Sequence, residues 1–126
     1  MLLIPMKTEL HYDNNYRGFT TLREAITNSI NVVTVKTLTE IGTQVGFDYL
    51  DDFGFTTIVP EDNTQSLCLG GLTKGVYNLE LTAAYATIAN GGTYTKPRFF
   101  TKILDHDGNV LIDNTPQTHT VLKDTT

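Results

Sequence analysis

The sequence has one cysteine, no run of basic residues and no long apolar segment. The lone Cys68 excludes an internal disulfide and therefore says little about the compartment. Nine basic and 14 acidic residues scattered over 126 positions give a net charge of −5, which argues against nucleic-acid binding. The apolar opening, residues 1–6, is too short for a signal peptide or a membrane span. We expect either an arbitrary end of the sequence or a short strand there.

The sequence also lacks the spacings that hold metals or cofactors, and we predict neither. Its three histidines are far apart, without a His-x-x-x-His or Cys-x-x-Cys pattern. Cys68 lies in an apolar Leu-Cys-Leu run, which favours a buried structural cysteine over a thiol–imidazole nucleophile. Gly70 and Gly71 are not followed by a Lys-Ser/Thr pair, so we interpret them as conformational residues and not as a phosphate cradle.

Periodic apolar residues predict a mainly helical region over about residues 21–92. Thr21 and Glu24 have the spacing of a capping box, in which two side chains satisfy free N–H groups where a helix begins. That helix would bring Ser29 to its C-terminal end, on the side that faces the core. Further helices are expected at residues 32–41, 43–53 and 79–90, with irregular chain at 7–20 and a long connection at 55–76.

The last part of the sequence changes from helical periodicity to alternation. Apolar and polar residues alternate over about residues 98–112 around an Asp107-Gly108 turn, which predicts a β-hairpin. The threonine-rich tail, residues 113–126, has no clear period. We expect that only a partner outside this chain would order it.

Three stretches in a fixed order carry a family resemblance. They are residues 15–31, with Asn-Tyr-Arg-Gly, Thr-Leu-Arg-Glu-Ala-Ile and Asn-Ser-Ile-Asn; residues 67–71, Leu-Cys-Leu-Gly-Gly; and residues 79–94, from Leu-Glu-Leu-Thr-Ala-Ala-Tyr to Asn-Gly-Gly-Thr-Tyr. Together they resemble class A high-molecular-weight penicillin-binding proteins, the bifunctional peptidoglycan synthases. The resemblance implies an internal part of the transpeptidase domain. In that α+β fold a helical cluster packs on an antiparallel sheet, most of which this chain lacks.

In the resembled family, acyl transfer uses three motifs: a serine nucleophile with a lysine one turn later, a Ser-x-Asn loop and a Lys-Thr/Ser-Gly strand. Ser29-Ile30-Asn31 matches the second motif. The resemblance implies catalytic roles, with Ser29 relaying a proton towards the leaving group and Asn31 orienting substrate and lysine. Both side chains would then face a cleft. The alternative is that Ser29 and Asn31 cap the two helices that meet at this turn.

The other two motifs are absent from the sequence. Neither serine, Ser29 or Ser66, has a lysine three positions later, and no lysine is followed by threonine or serine and then glycine. The resemblance therefore implies an incomplete domain that is inactive alone. We expect its exposed apolar surface to favour self-association.

The resemblance also implies what the parent protein does. It would be a D,D-transpeptidase on the extracytoplasmic face of the bacterial cytoplasmic membrane, binding peptidoglycan stem peptides and β-lactams. Two alternatives stay open: a non-catalytic helical scaffold derived from the family, and a serine β-lactamase of the same superfamily, which residues 79–94 fit less well.

Overall fold

The computed structural model describes residues 3–6 and 18–125. This part of the chain contains four α-helices, two short 3-10 helices and three two-stranded antiparallel sheets. The α-helices are α1 (Leu22–Thr27), α2 (Asn31–Ile41), α3 (Thr43–Asp52) and α4 (Asn78–Ala89). The 3-10 helices are Pro60–Asp62 and Gln65–Leu69. The strands are β1 (Leu3–Met6), β2 (Gly18–Thr21), β3 (Thr93–Thr95), β4 (Lys102–Leu104), β5 (Val110–Asp113) and β6 (Thr118–Thr120).

The chain divides into two units, and the predicted fold class, mainly helical with a small hairpin, is confirmed. One unit contains Met1–Asp48 and Val59–Gly75, and the other contains Tyr49–Ile58 and Val76–Thr126. Among the described residues, no helix is both long enough and apolar enough to cross a bilayer.

The first unit begins with a strand pair. β1 runs antiparallel to β2, with Leu3 opposite Thr21. A short strand was one of the two expectations for residues 1–6, but the irregular chain expected over residues 7–20 is wrong for residues 18–20. Those residues carry little alternation, and their strand depends on hydrogen bonds to a distant segment. Residues 7–17 lie outside the described part of the chain.

The predicted start of α1 is confirmed at Thr21, whose hydroxyl accepts a hydrogen bond from the Glu24 N–H at 3.1 Å. This satisfies one of the free N–H groups of the first turn. The core of the unit lies where α1 and α2 meet, and it consists of Ala25, Ile30 and Val33 with Leu22 and Val32 packed against them.

A buried carboxylate closes the long connection at residues 59–73. Asp62 is 2% exposed. One of its oxygens accepts from the Thr73 N–H at 2.7 Å and the Thr73 hydroxyl at 2.6 Å, and the other accepts from the Val59 N–H at 3.0 Å. These bonds, that from the Thr73 hydroxyl most of all, hold the pKa of Asp62 below its usual value of 3.8. Asp62 thus joins Val59 at the start of the connection to Thr73 at its end. Because the carboxylate holds both ends, the connection needs little regular secondary structure between them.

In the second unit, the residues that α4 buries are small, and its large apolar residues are exposed. Ala83, Ala84 and Thr87 are buried, whereas Leu81, Tyr85 and Ile88 lie at helical spacing on an exposed face. The hairpin of β4 and β5 confirms the predicted β-hairpin, with Ile103 opposite Ile112. Its apolar side chains are also exposed. The expected exposed apolar surface is therefore present in this unit.

The tail contradicts its prediction, since β6 pairs with β3 inside the same chain. The His119 ring packs on Tyr94, with ring centroids 5.0 Å apart, and its Nε2 lies 2.7 Å from the Asp52 carbonyl oxygen. The N–H groups of Val121 and Leu122 both donate to the Gly92 carbonyl. Gly92 has a φ of +91°, and a Cβ there would collide with the Leu122 backbone, so the turn before β3 requires glycine. These contacts are all long-range, and no local pattern could have predicted them.

Replacing Asp62 should make stability less dependent on pH. Because folding lowers its pKa, Asp62 stabilises the fold above its unfolded pKa of about 3.8, and this contribution disappears as the pH falls through the lower folded value. We expect Asp62→Asn to lower the thermal midpoint by several degrees at pH 7, and the difference from wild type to shrink in acid.

The matched control is Glu61→Gln, which removes an exposed carboxylate from the same 3-10 helix. Thermal unfolding of the three chains between pH 7 and pH 2.5 measures the effect. Equal midpoints for the two variants at pH 7 would show that the Asp62 carboxylate does not hold the connection.

Candidate functional site

The turn between α1 and α2 carries Ser29 and Asn31, and two backbone hydrogen bonds define it. The Ser29 N–H donates to the Ile26 carbonyl at 3.2 Å, and the Ile30 N–H donates to the Ala25 carbonyl at 2.9 Å. This pair of bonds is a Schellman motif, which satisfies carbonyls left free at a helix C-terminus. The apolar contact that accompanies the motif is also present, because Ala25 and Ile30 belong to one core cluster.

Ser29 occupies the left-handed position of this motif, where glycine is usual. Its φ is 51°, and among the described residues it is the one non-glycine residue with positive φ. A side chain in this conformation costs about 1 kcal/mol because Cβ approaches the following carbonyl oxygen. Such strain persists only where the surroundings impose it, and it occurs preferentially at functional sites.

The side chains of Ser29 and Asn31 are both exposed, and neither has a hydrogen-bond partner within the described residues. The expectation that Ser29 lies on the buried side of its helix is therefore wrong. α1 ends at Thr27 and Ser29 has left-handed backbone, so helical periodicity does not extend to it. Ile30, between the two, is the buried residue.

The capping alternative for Ser29 and Asn31 finds no support in these contacts. α2 has Ile30 at its N-cap, with no side-chain cap hydrogen bond. At the end of α1 the amide of Asn28 donates to the Glu24 carbonyl at 2.9 Å. Asn28 therefore makes the capping hydrogen bond that the alternative assigned to Ser29 and Asn31. The Ser29 hydroxyl and the Asn31 amide remain available to other groups.

An apolar cavity of about 310 Å³ lies beside the turn, within the first unit. Its walls come from α1, α2 and the second 3-10 helix and include Ile26, Val33, Leu38 and Cys68. Neither Ser29 nor Asn31 lines it. A polar cleft that receives both side chains would therefore require groups beyond these walls.

The remaining candidates from the sequence have structural roles. The Cys68 thiol donates to the Gln65 carbonyl at 3.0 Å, and burial raises its pKa, which favours the neutral, unreactive thiol. Gly70 ends the second 3-10 helix in left-handed conformation, and Gly71 packs so closely on Ser66 that a Cβ would lie 2.9 Å from the Ser66 Cβ. Among the described residues, no three histidine, cysteine or acidic side chains are grouped as metal ligands.

The strain at Ser29 predicts that a glycine there stabilises the fold. Ser29→Gly removes the Cβ clash, and we expect a gain of about 0.5–1 kcal/mol in the free energy of unfolding, after the added entropy of the unfolded chain. Ser29→Ala keeps the Cβ and serves as the control, with stability close to wild type. Chemical denaturation of the three chains measures both. Equal stability of the glycine and alanine variants would contradict the prediction that left-handed backbone strains residue Ser29.

Comparisons with known proteins show the family to which this chain belongs. The penicillin-binding protein transpeptidase domain matches residues 5–126. The chain is 43% identical over 107 residues to penicillin-binding protein 1F of Bacillus subtilis, covering 85% of this chain and 15% of the relative. It is 39% identical over 112 residues to penicillin-binding protein 1A of Aquifex aeolicus, covering 89% and 15%.

A solved structure supports the same fold. The crystal structure of penicillin-binding protein 1A from Haemophilus influenzae is similar with a TM-score of 0.66 at 22% identity, over 94% of this chain and 18% of that one. The chain thus spans about 15% of the length of the curated relatives it matches. It belongs to the family of penicillin-binding protein transpeptidase domains, as its resemblance to the class A synthases predicted.

Proposed function

We propose that this chain is part of a longer D,D-transpeptidase, to which it contributes the Ser-x-Asn motif through Ser29 and Asn31. One observation carries the proposal. The turn holds Ser29 in a strained conformation and leaves two polar side chains, two residues apart, without local hydrogen-bond partners. Structural capping would use those side chains, whereas proton relay and substrate orientation need them free.

The chemistry explains why a hydroxyl and a carboxamide are needed together. An attacking serine from another part of the protein adds to the carbonyl of the penultimate D-alanine and gives up its proton to a neighbouring base. The peptide bond to the terminal D-alanine then breaks, and the departing amine takes a proton. An amine of a neighbouring strand later displaces the serine ester, which releases the enzyme and completes the cross-link.

Ser29 and Asn31 suit two separate steps of this reaction. A hydroxyl both accepts and donates, so Ser29 passes the proton from the base to the departing amine. The Asn31 amide accepts from a lysine through its oxygen and donates through its nitrogen to a substrate carbonyl, which orients both. β-Lactams would acylate the same attacking serine.

The chain by itself would be inactive, because no serine in it has a lysine three positions later and no Lys-Thr/Ser-Gly sequence occurs. The parent would supply both motifs and would act at the extracytoplasmic face of the cytoplasmic membrane. Peptidoglycan stem peptides and β-lactams would be its ligands.

Fluorescent penicillin labelling of the full-length gene product tests the proposal. We expect the wild-type protein to be labelled and the 126-residue chain not to be. Ser29→Ala and Asn31→Ala should each slow acylation by about 100-fold, since each removes a group used in proton transfer or orientation. Asn28→Ala is the matched control, because it removes an amide from the same turn that only caps α1.

Two outcomes would reject the proposal. A folded full-length protein that takes no label would favour the non-catalytic scaffold. Labelling that falls equally in the Asn28 and Asn31 variants would mean that loss of the turn, and not of a catalytic group, causes the effect.

We further propose that the chain alone self-associates through its exposed apolar residues. Tyr85 and Ile88 on α4 are 68% and 58% exposed, and contiguous surfaces of this kind drive association in water. Sedimentation of the isolated chain should show association that rises with concentration and weakens in a Tyr85→Lys, Ile88→Lys variant. Thr125→Lys, at another exposed position, should have no effect. A monomer at all concentrations would contradict the proposal.

A further inference from the structure

We infer that Ile30, the middle residue of the motif, is a positioning residue for acyl transfer, because its buried side chain holds the backbone that aims Ser29 and Asn31. The inference rests on the proposed function of those two residues. The motif itself assigns no role to the Ile30 side chain.

Three observations place Ile30 at the centre of the turn. Its side chain is 4% exposed and shares a core cluster with Ala25 and Val33. Its N–H makes the 2.9 Å hydrogen bond that closes the Schellman motif on the Ala25 carbonyl. It is also the N-cap residue of α2, with extended backbone. One residue therefore ends α1, starts α2 and anchors both in the core.

The burial of Ile30 determines where its neighbours point. With the Ile30 side chain directed into the core, Ser29 takes its left-handed conformation before it and Asn31 begins α2 after it, and both side chains face solvent. The strain at Ser29 opposes this arrangement, and within the described residues no side-chain hydrogen bond of Ser29 or Asn31 supports it. Together with the two Schellman hydrogen bonds of the backbone, the apolar contact of Ile30 with Ala25 and Val33 holds it.

Removing the Ile30 side chain should release the turn without altering either polar group. Ser29 would then relax towards conformations that any residue adopts, and its hydroxyl would move relative to the attacking serine. Misplacement of a catalytic group by about 1 Å lowers a reaction rate by up to about 100-fold. A β-branched side chain has few rotamers, so valine should preserve the anchor where alanine does not.

The test uses the full-length protein and separates binding from chemistry. Stopped-flow measurement of penicillin acylation yields the dissociation constant of the first complex and the rate of acylation within it. For Ile30→Ala we expect the acylation rate to fall about 10- to 100-fold while the dissociation constant changes little. Ile30→Val should restore most of the rate.

Leu38→Ala is the matched control, since Leu38 is 6% exposed and lies in the same helix α2 but outside the cluster that contains Ile30. It should lower the denaturation midpoint about as much as Ile30→Ala and leave the acylation rate near wild type. If Ile30→Ala does not fold, Ile30→Leu replaces it, because leucine keeps the apolar volume but moves the branch point away from the backbone. It should fold and acylate more slowly than Ile30→Val.

Each outcome decides the inference. Equal acylation rates for the Ile30→Ala and Leu38→Ala variants, or wild-type acylation by Ile30→Leu where alanine fails to fold, would overturn the positioning role while leaving the proposed function intact. A wild-type protein that penicillin does not acylate would overturn both.

Discussion

The contact of Ile30 with Ala25 and Val33 is the interaction on which the candidate site depends. It joins two helices across a turn of only three residues, and it opposes the local preference of Ser29 for ordinary backbone. The two Schellman hydrogen bonds fix the path of the backbone at the end of α1. Burial of the Ile30 side chain then leaves the side chains of Ser29 and Asn31 facing solvent. Two exposed polar residues, Ser29 and Asn31, thus lie on either side of a buried isoleucine.

Other parts of each unit are held by contacts that are distant in sequence. Asp62 closes a long connection by accepting hydrogen bonds from Val59 and Thr73, and the second 3-10 helix of that connection packs on α2. In the second unit, His119 and the backbone after it attach the tail to Asp52 and Gly92. The Asp62 carboxylate is buried, and it would be costly to bury without its hydrogen-bond partners.

Local periodicity predicted much of the fold. The helices observed at residues 43–52 and 78–89 lie within one residue of their predicted ends, and the hairpin forms around Asp107-Gly108. The strand at residues 18–21 and the pairing of the tail were not predicted, because both depend on partners far along the chain. For the site, the residue types and their spacing were available from the sequence. The exposure of Ser29 was predicted wrongly, because helical periodicity was extended past the residue where α1 ends.

The sequence by itself determined the family, the helical periods and the presence of a hydroxyl and a carboxamide on either side of an isoleucine. These properties depend on residue types and short spacings, which do not change with the tertiary structure. Tertiary structure alone decided that Ser29 adopts left-handed backbone and that Ile30 enters the core. Those outcomes depend on burial, because packing between two helices can outweigh the strain of a single residue.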